Sequence, residues 1–187
     1  MSASPLVTVL LPVWNGSSLP LTAEGEEPLR VAIRSLARQE AAPDAPVPGF
    51  EVLAVDDGST DGTAALLDAL AAEYPCLRVL HRPHEGLPGA LNAGLEAARG
   101  ALIARMDADD VCHPQRLALQ AAWMAEHPET GLLATRVHFG GDRETARGFA
   151  HFVDWQNGLL DHEAISRNRF RDTPVSHPSV MFRRELP

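Results

Sequence analysis

Cysteine is scarce in this chain, and the two cysteines, Cys76 and Cys112, lie far apart. That excludes both the dense disulfide framework of small secreted domains and the paired spacing of a cysteine metal site. Long apolar runs are missing too, since none approaches the roughly 20 residues of a membrane-spanning helix. The amino-terminal stretch has neither the basic nor the apolar part of a signal peptide. We therefore expect a cytoplasmic protein, with peripheral association at the inner face of the membrane left open.

Basic side chains are also in deficit, with 16 Lys and Arg against 25 Asp and Glu and a net charge of -9. Such a balance argues against nucleic acid as a partner, because nucleic-acid binding needs a basic footprint. At 187 residues and 45% hydrophobic content the chain is long enough for one domain with a sizeable core. A small anionic substrate would then need a metal ion to bind.

What the sequence does contain is a regular alternation of apolar runs and helical periodicity. The pattern predicts an α/β fold, with a mostly parallel sheet and helices on both faces. Pro12 is expected to stop the first strand, and Arg99-Gly100 to close the third helix as a C-cap. The predicted strands cover 6–11, 50–55, 77–80, 101–104, 131–135 and 180–182. The first predicted helix runs for about three turns from Leu29, and the second follows the turn at 56–63 with an apolar face at Leu66, Leu67 and Leu70. Further helices are predicted at 87–98, 114–126 and 151–160, and surface loops at 15–28 and 41–49.

The run from Ala104 to Val111 places three carboxylates in four positions directly after an apolar strand. In an extended segment Asp107 and Asp109 would point to the same side, because strand side chains alternate. Such a pair suits Mn2+ or Mg2+ and leaves coordination positions for phosphate oxygens. The competing interpretation is a solvated turn that caps the next helix. Arg105 is expected either to pair with these acids or to reach a phosphate.

Further candidate residues follow other strands. Asp57 could accept a hydrogen bond from an N–H of a planar base, and Trp14 could stack on that base or serve as a core or subunit-contact aromatic. Gly86 lies in a segment whose glycines allow close backbone approach, but it belongs to neither a P-loop nor a dinucleotide-binding motif. His177 could contact a phosphate or metal, or be a hydrogen-bonded structural histidine.

Four segments, taken in order, resemble the family 2 glycosyltransferases, and a fifth, residues 177–184, resembles a later segment of that family. The four are Thr8-Val9-Leu10-Leu11-Pro12-Val13-Trp14-Asn15, Val55-Asp56-Asp57-Gly58-Ser59-Thr60-Asp61-Gly62-Thr63, residues 90–100, and Ala104-Arg105-Met106-Asp107-Ala108-Asp109-Asp110. The order of the motifs and their span over almost the whole chain carry the resemblance, since each motif alone is weak.

The resemblance implies a Rossmann-like, nucleotide-binding GT-A fold and inverting transfer of a sugar, with a UDP-sugar as the expected donor. The acceptor would be a glycan or a lipid-linked molecule, and a homo-oligomer is left open. Residues 1–187 would form a single domain, with the donor-binding part at about 5–127 and an incomplete acceptor side at about 128–187. By position, the resemblance assigns Pro12, Trp14, Asp57, Gly86, Arg105, Asp107, Ala108 and Asp109 to the donor and makes Asp109, with Asp107, the metal ligand.

The family usually supplies its catalytic base from an acidic pair beyond the His-Pro-Ser segment. The sequence reaches Pro187 before such a pair, so the base is expected beyond it, and this polypeptide is expected to bind donor but transfer sugar poorly. Four acids were considered as substitutes, none in the expected context: Asp154, Asp161, Glu163 and Asp172. One alternative is a non-catalytic nucleotide-sugar-binding or assembly module. The other is a sugar-1-phosphate nucleotidyltransferase, but that class of enzyme requires a Gly-rich basic loop after the first strand.

Overall fold

The computed structural model describes residues 6–186 and has one six-stranded sheet at its centre. The strand order is β3-β2-β1-β4-β6-β5; β1 to β4 are parallel, and β6 runs antiparallel to both β4 and β5. The predicted mostly parallel α/β sheet is confirmed. The strands are β1 (Val7–Val13), β2 (Phe50–Asp57), β3 (Leu77–Arg82), β4 (Leu102–Arg105), β5 (Leu132–Ala134) and β6 (Val180–Arg183); the helices are α1 (Pro28–Ala37), α2 (Thr63–Glu73), α3 (Gly86–Ala97), α4 (Arg116–Glu126), α5 (Arg147–Asn157) and α6 (His162–Asn168).

Helices cover both faces of the sheet, as predicted. Every residue of β1 is buried, and alternate side chains join different cores, Val9 and Leu11 on one face and Leu10 on the other. The larger core packs the sheet against α1, α2 and α4, and the smaller core packs it against α3. Burial on both faces explains why the strands read as continuous apolar runs.

Strand β1 continues through Pro12 to Val13, so the prediction that proline stops it is wrong. Proline lacks a backbone N–H and cannot donate to a ladder on both sides. Here the pairing of β1 with β4 ends at Leu10 opposite Arg105, while the pairing with β2 continues to Val13 opposite Asp56. Pro12 therefore lies where only one neighbouring strand remains.

Gly100 does not form the predicted left-handed C-cap of α3. The residue that follows the helix, Ala98, is extended, and Gly100 is not among the glycines with positive φ. A Cβ atom at Gly100 would lie 2.4 Å from the backbone nitrogen of Thr8 and 2.7 Å from the carbonyl carbon of Val7. The glycine is required because two backbone segments approach closely at this point.

The last third differs most from the sequence prediction. Helix α5 begins at Arg147 rather than His151, and α6 was not predicted, although Asp161 caps it by accepting from the Ala164 N–H at 2.8 Å. Helix α4 begins at Arg116, two residues after Pro114. Among the residues described, no helix is long and apolar enough to cross a membrane.

Replacing Gly100 by Ala should lower the free energy of unfolding by about 2 kcal/mol, because the added methyl group meets backbone atoms that cannot move aside easily. Gly148→Ala is the matched control, since a Cβ there meets nothing within 4 Å. That helical substitution should be neutral or stabilising by up to about 0.5 kcal/mol. Urea unfolding of both variants measures the difference, and equal effects would contradict the close-approach explanation.

Candidate functional site

Three strand ends bring the predicted polar and aromatic residues to one edge of the sheet. Trp14 follows β1, Asp57 ends β2, and Asp107 comes two residues after β4. These strands are parallel, so their carboxyl ends meet at the same edge, where ligands of open α/β sheets bind. Strand β6 is antiparallel and begins at this edge, which puts the 3-10 turn at His177–Ser179 beside the end of β4.

Residues 107–110 form a turn, so the prediction that Asp107 and Asp109 lie in an extended segment is wrong. The last ladder bond runs from the Met106 N–H to the Leu10 carbonyl, and the Asp110 N–H then bonds back to the Asp107 carbonyl at 3.3 Å. We call residues 107–110 the acidic turn. Partial burial and the neighbouring charges of Asp107 and Asp109 raise the pKa of Asp110 to about 6. The turn is therefore a centre of negative potential.

Arg105 pairs with this turn from beneath. It is buried, and its Nη2 lies 2.5 Å from Oδ1 of Asp107. The other terminal nitrogen, Nη1, is buried without a hydrogen-bond partner among the described residues. A buried N–H without a partner is costly, so this atom has capacity for an anionic oxygen.

The acidic turn fits a divalent cation only as part of a shared site. Within residues 6–186, no cluster of three or more His, Cys, Asp or Glu side chains is arranged to hold a metal ion alone. Asp107 is half-buried and Asp109 is exposed, and both offer the hard carboxylate oxygens that Mg2+ and Mn2+ prefer. Burial is the largest cause of the raised pKa of Asp110, and the charges of Asp107 and Asp109 add to it; a cation at the turn would offset that repulsion.

Asp57 is almost fully buried and already accepts several hydrogen bonds. Its oxygens accept from the backbone N–H groups of Glu85 at 3.1 Å and Gly86 at 2.8 Å, at the start of α3. Gly86 has φ of 80°, which this entry into the helix requires. Nδ1 of His84 lies 2.8 Å from Oδ2 of Asp57. The carboxylate thus holds the loop between β3 and α3.

Trp14 is 57% exposed and stacks on His84, with ring centroids 4.8 Å apart and planes at 24°. Pro12 is buried within β1, and Ala108 is half-buried against the larger core. His177 is exposed on the 3-10 turn. These placements locate the predicted residues but leave their roles as predictions.

The four acids considered as substitute bases lie in α5, α6 and the segments beside α6. Asp154 pairs with Arg143, and Glu163 pairs with Arg167. Asp161 caps α6, and Asp172 accepts from the Thr173 N–H. Each therefore has a local structural partner.

One of two cavities borders the acidic turn. The larger, about 710 Å³, lies between β5 and the helices α5 and α6, away from the acidic turn. The smaller, about 220 Å³, lies between the acidic turn and the loop after β1, with Asp109, Val111, Leu19, Pro20 and Val31 among its lining residues. The loop at 15–28 thus borders the predicted metal ligand.

Sequence reasoning missed a buried polar pair on α4. Arg116 donates from Nη2 to the carbonyl oxygens of Arg105 at 2.9 Å and Val180 at 3.2 Å, and from Nε to Gln120 at 2.9 Å. Gln120 donates to the carbonyl oxygens of Leu133 and Ser179. The i, i+4 spacing was the available signal, but an Arg and a Gln one turn apart usually indicate a solvated helix face.

Fold and site together define an α/β protein with a mostly parallel sheet and an acidic turn at the carboxyl edge of that sheet. The family model described as Glycosyl transferase family 2 matches residues 8–186, and the chain belongs to this family. The amylovoran biosynthesis glycosyltransferase AmsE of Erwinia amylovora is 32% identical over 186 residues, which cover 96% of this chain and 60% of AmsE. The chain spans less than two thirds of the length of the first curated relatives it matches.

Solved structures support the GT-A fold. TarS of S. aureus in complex with UDP superposes with a TM-score of 0.57 and 25% identity, over 73% of this chain and 37% of that chain. TarS has also been solved with UDP-GlcNAc. The mannosyltransferase PcManGT of Pyrobaculum calidifontis, in complex with GDP-Man and Mn2+, superposes with a TM-score of 0.63 and 23% identity, over 98% of this chain and 46% of that chain.

Beside the site, His81 should make stability depend on pH. Its ring nitrogens contact Asp56 at 2.9 Å and Asp68 at 3.1 Å, and these hydrogen bonds raise the pKa of His81 above its usual value. The folded state therefore favours the protonated ring, so the stabilisation is complete below about pH 6 and is lost as the pH rises through the raised pKa.

We expect His81→Gln to reduce the free energy of unfolding more at about pH 5.5 than at about pH 8.5, because only the protonated ring gains from both carboxylates. Chemical denaturation at the two pH values measures this difference. His151→Gln, an exposed change on α5, is the control and should show the same stability difference at both. A larger effect of His81→Gln at the higher pH would contradict the assignment.

Proposed function

We propose that this chain binds a nucleotide diphosphate sugar and serves its transfer to an acceptor hydroxyl in polysaccharide or cell-envelope glycan synthesis. The observation that carries the proposal is the acidic turn, which lies at the same sheet edge as Trp14 and Asp57. A UDP-sugar is the proposed donor, supported by the UDP and UDP-GlcNAc complexes of TarS. The proposed acceptor is a glycan or a lipid-linked molecule.

In this proposal different residues bind different parts of the donor. Trp14 is 57% exposed and offers the part of its indole that His84 leaves uncovered to a base, with Pro12 nearby in β1. Asp109 and Asp107 would hold Mn2+ or Mg2+, which as a Lewis acid neutralises charge on the departing diphosphate. Arg105 holds Asp107 and keeps a buried N–H free for a phosphate oxygen. His177 borders the diphosphate side of the edge.

The acceptor side is proposed to be less complete than the donor side. Inverting transfer needs a carboxylate that removes the proton of the acceptor hydroxyl. The four acids that follow α4 and were considered for this role are each engaged locally, so none is proposed as the base. We propose one GT-A domain over residues 1–187, with donor binding at about 5–127 and the acceptor side at about 128–187.

The local engagement of those acids favours a second candidate, a module that binds nucleotide sugar without catalysing transfer. Hydrolysis or transfer of a UDP-sugar distinguishes the enzyme from this module. A sugar-1-phosphate nucleotidyltransferase is less well supported, because residues 12–16 form no Gly-rich basic loop after β1. Robust transfer that is abolished by replacing Asp154, Asp161, Glu163 or Asp172 would identify a base within this chain.

Asp109→Asn should weaken UDP binding in the presence of Mn2+ by about tenfold or more, because a carboxylate that contacts the cation loses its charge. Affinity without a divalent cation should change little. Isothermal titration of UDP in the presence of Mn2+ and in the presence of a chelator measures both affinities.

Asp172→Asn is the matched control for this experiment, since it removes the charge of an exposed acid outside the acidic turn. It should leave the Mn2+-dependent part of the affinity unchanged. If Asp109→Asn retains the metal dependence of the wild-type chain, the acidic turn does not hold the cation.

A further inference from the structure

His84 lies where two predicted base contacts meet. One face of its ring stacks on Trp14 at a centroid distance of 4.8 Å. Its Nδ1 lies 2.8 Å from Oδ2 of Asp57 and 3.0 Å from the Asp57 carbonyl oxygen. Gly58, with φ of 68°, permits this approach, because a Cβ there would lie 2.6 Å from the His84 backbone nitrogen. The imidazole is thus held by a strand-end carboxylate and an aromatic ring.

Direct recognition of a base by Asp57 is difficult in this arrangement. The residue is 3% exposed, and its carboxylate already faces the N–H groups of Glu85 and Gly86 as well as the His84 ring. A carboxylate has about four lone-pair positions, and three of them are engaged here. Burial and these three partners therefore leave the Asp57 carboxylate little capacity for a base.

The environment of His84 fixes which nitrogen carries the proton. Both groups that face Nδ1 are oxygen acceptors, so Nδ1 bears the hydrogen and donates. In the neutral ring Nε2 is then an acceptor. The hydrogen bonds within the described part of the chain engage only Nδ1, and the side chain is 51% exposed. The neutral ring therefore presents one oriented acceptor on the exposed side of the carboxyl edge.

We propose that His84 is a specificity-determining residue whose Nε2 accepts from the ring N–H of the nucleotide base. The inference rests on the proposed donor binding and assigns the base contact to His84, with Asp57 as the residue that positions it. Uracil and guanine present a ring N–H at their pairing edge, whereas cytosine and adenine present an unprotonated nitrogen there. An acceptor at Nε2 favours the first pair and repels the second.

The test compares the binding of UDP, GDP, CDP and ADP, each with Mn2+, to the wild-type chain and two variants by isothermal titration. His84→Ala removes the ring, and His84→Phe keeps an aromatic ring against Trp14 without a nitrogen. Of UDP and GDP, the relevant ligand is the one that the wild-type chain binds more tightly. Both variants should bind that nucleotide about 3- to 10-fold more weakly, which corresponds to the loss of one hydrogen bond. The affinity for CDP and ADP should not fall, so the preference for UDP or GDP over CDP and ADP becomes smaller.

His127 provides a matched control. It stacks on Trp123 at 4.1 Å, and its Nδ1 lies 3.1 Å from Glu129. Its carbonyl accepts from Arg183, which pairs with the first residue of β4, so this histidine lies at the opposite edge of the sheet. His127→Ala should change neither affinity nor preference.

The outcomes separate the inference from the function on which it rests. If the wild-type chain binds none of the four nucleotides, the proposed function fails, and this inference fails with it. If it binds UDP or GDP and both His84 variants keep the wild-type preference, the function stands and His84 does not read the base. Tighter UDP binding by His84→Ala would also overturn the inference, because the ring would then be a competitor of the base.

Discussion

The carboxyl edge of the sheet depends on one buried guanidinium. Arg116 is 8% exposed, and its hydrogen-bond partners are two strand-end carbonyl oxygens and a Gln side chain rather than a carboxylate. Burial lowers the pKa of this group. Strand ends leave carbonyl groups that are costly to bury unpaired, and a planar guanidinium satisfies several at once. With Gln120, it fixes the ends of β4, β5 and β6 in one arrangement, and so it sets the acidic turn beside the His177 turn.

The amino edge uses the opposite charge for the same purpose. Glu51 is 7% exposed and accepts from the Thr8 hydroxyl at 2.8 Å, from the Arg99 N–H at 2.9 Å and from Arg78 at 3.1 Å. Burial acts to raise the pKa of Glu51, but these hydrogen bonds and the Arg78 charge outweigh it and hold the pKa below its usual value. At each edge, a buried charged side chain, Arg116 or Glu51, thus gathers polar groups where chain segments enter or leave the sheet.

The parts of the fold that sequence reasoning predicted are those for which local pattern and burial agree. Strands β1 and β2 are buried on both faces, so their apolar runs are unambiguous, and their parallel pairing places Trp14 and Asp57 at one edge. Helix α6 was not predicted from the sequence, because it buries no residue and therefore has no apolar stripe. The role of Gly100 was not predicted either, because close approach between distant backbone segments leaves no local signal.

Two aspartates at strand ends show why a site is harder to predict than a fold. By sequence, Asp57 and Asp109 are similar in that each lies a few residues after an apolar run and is predicted to contact the donor. In three dimensions Asp57 is buried under the start of α3 and the His84 ring, whereas no hydrogen bond or ion pair within residues 6–186 engages the exposed Asp109 carboxylate. Capacity to bind a ligand follows the lone pairs that the protein leaves unengaged. On that criterion Asp109 has more capacity for a ligand than Asp57, which is why we propose the acidic turn for the charged end of a donor and Trp14 with His84 for its base.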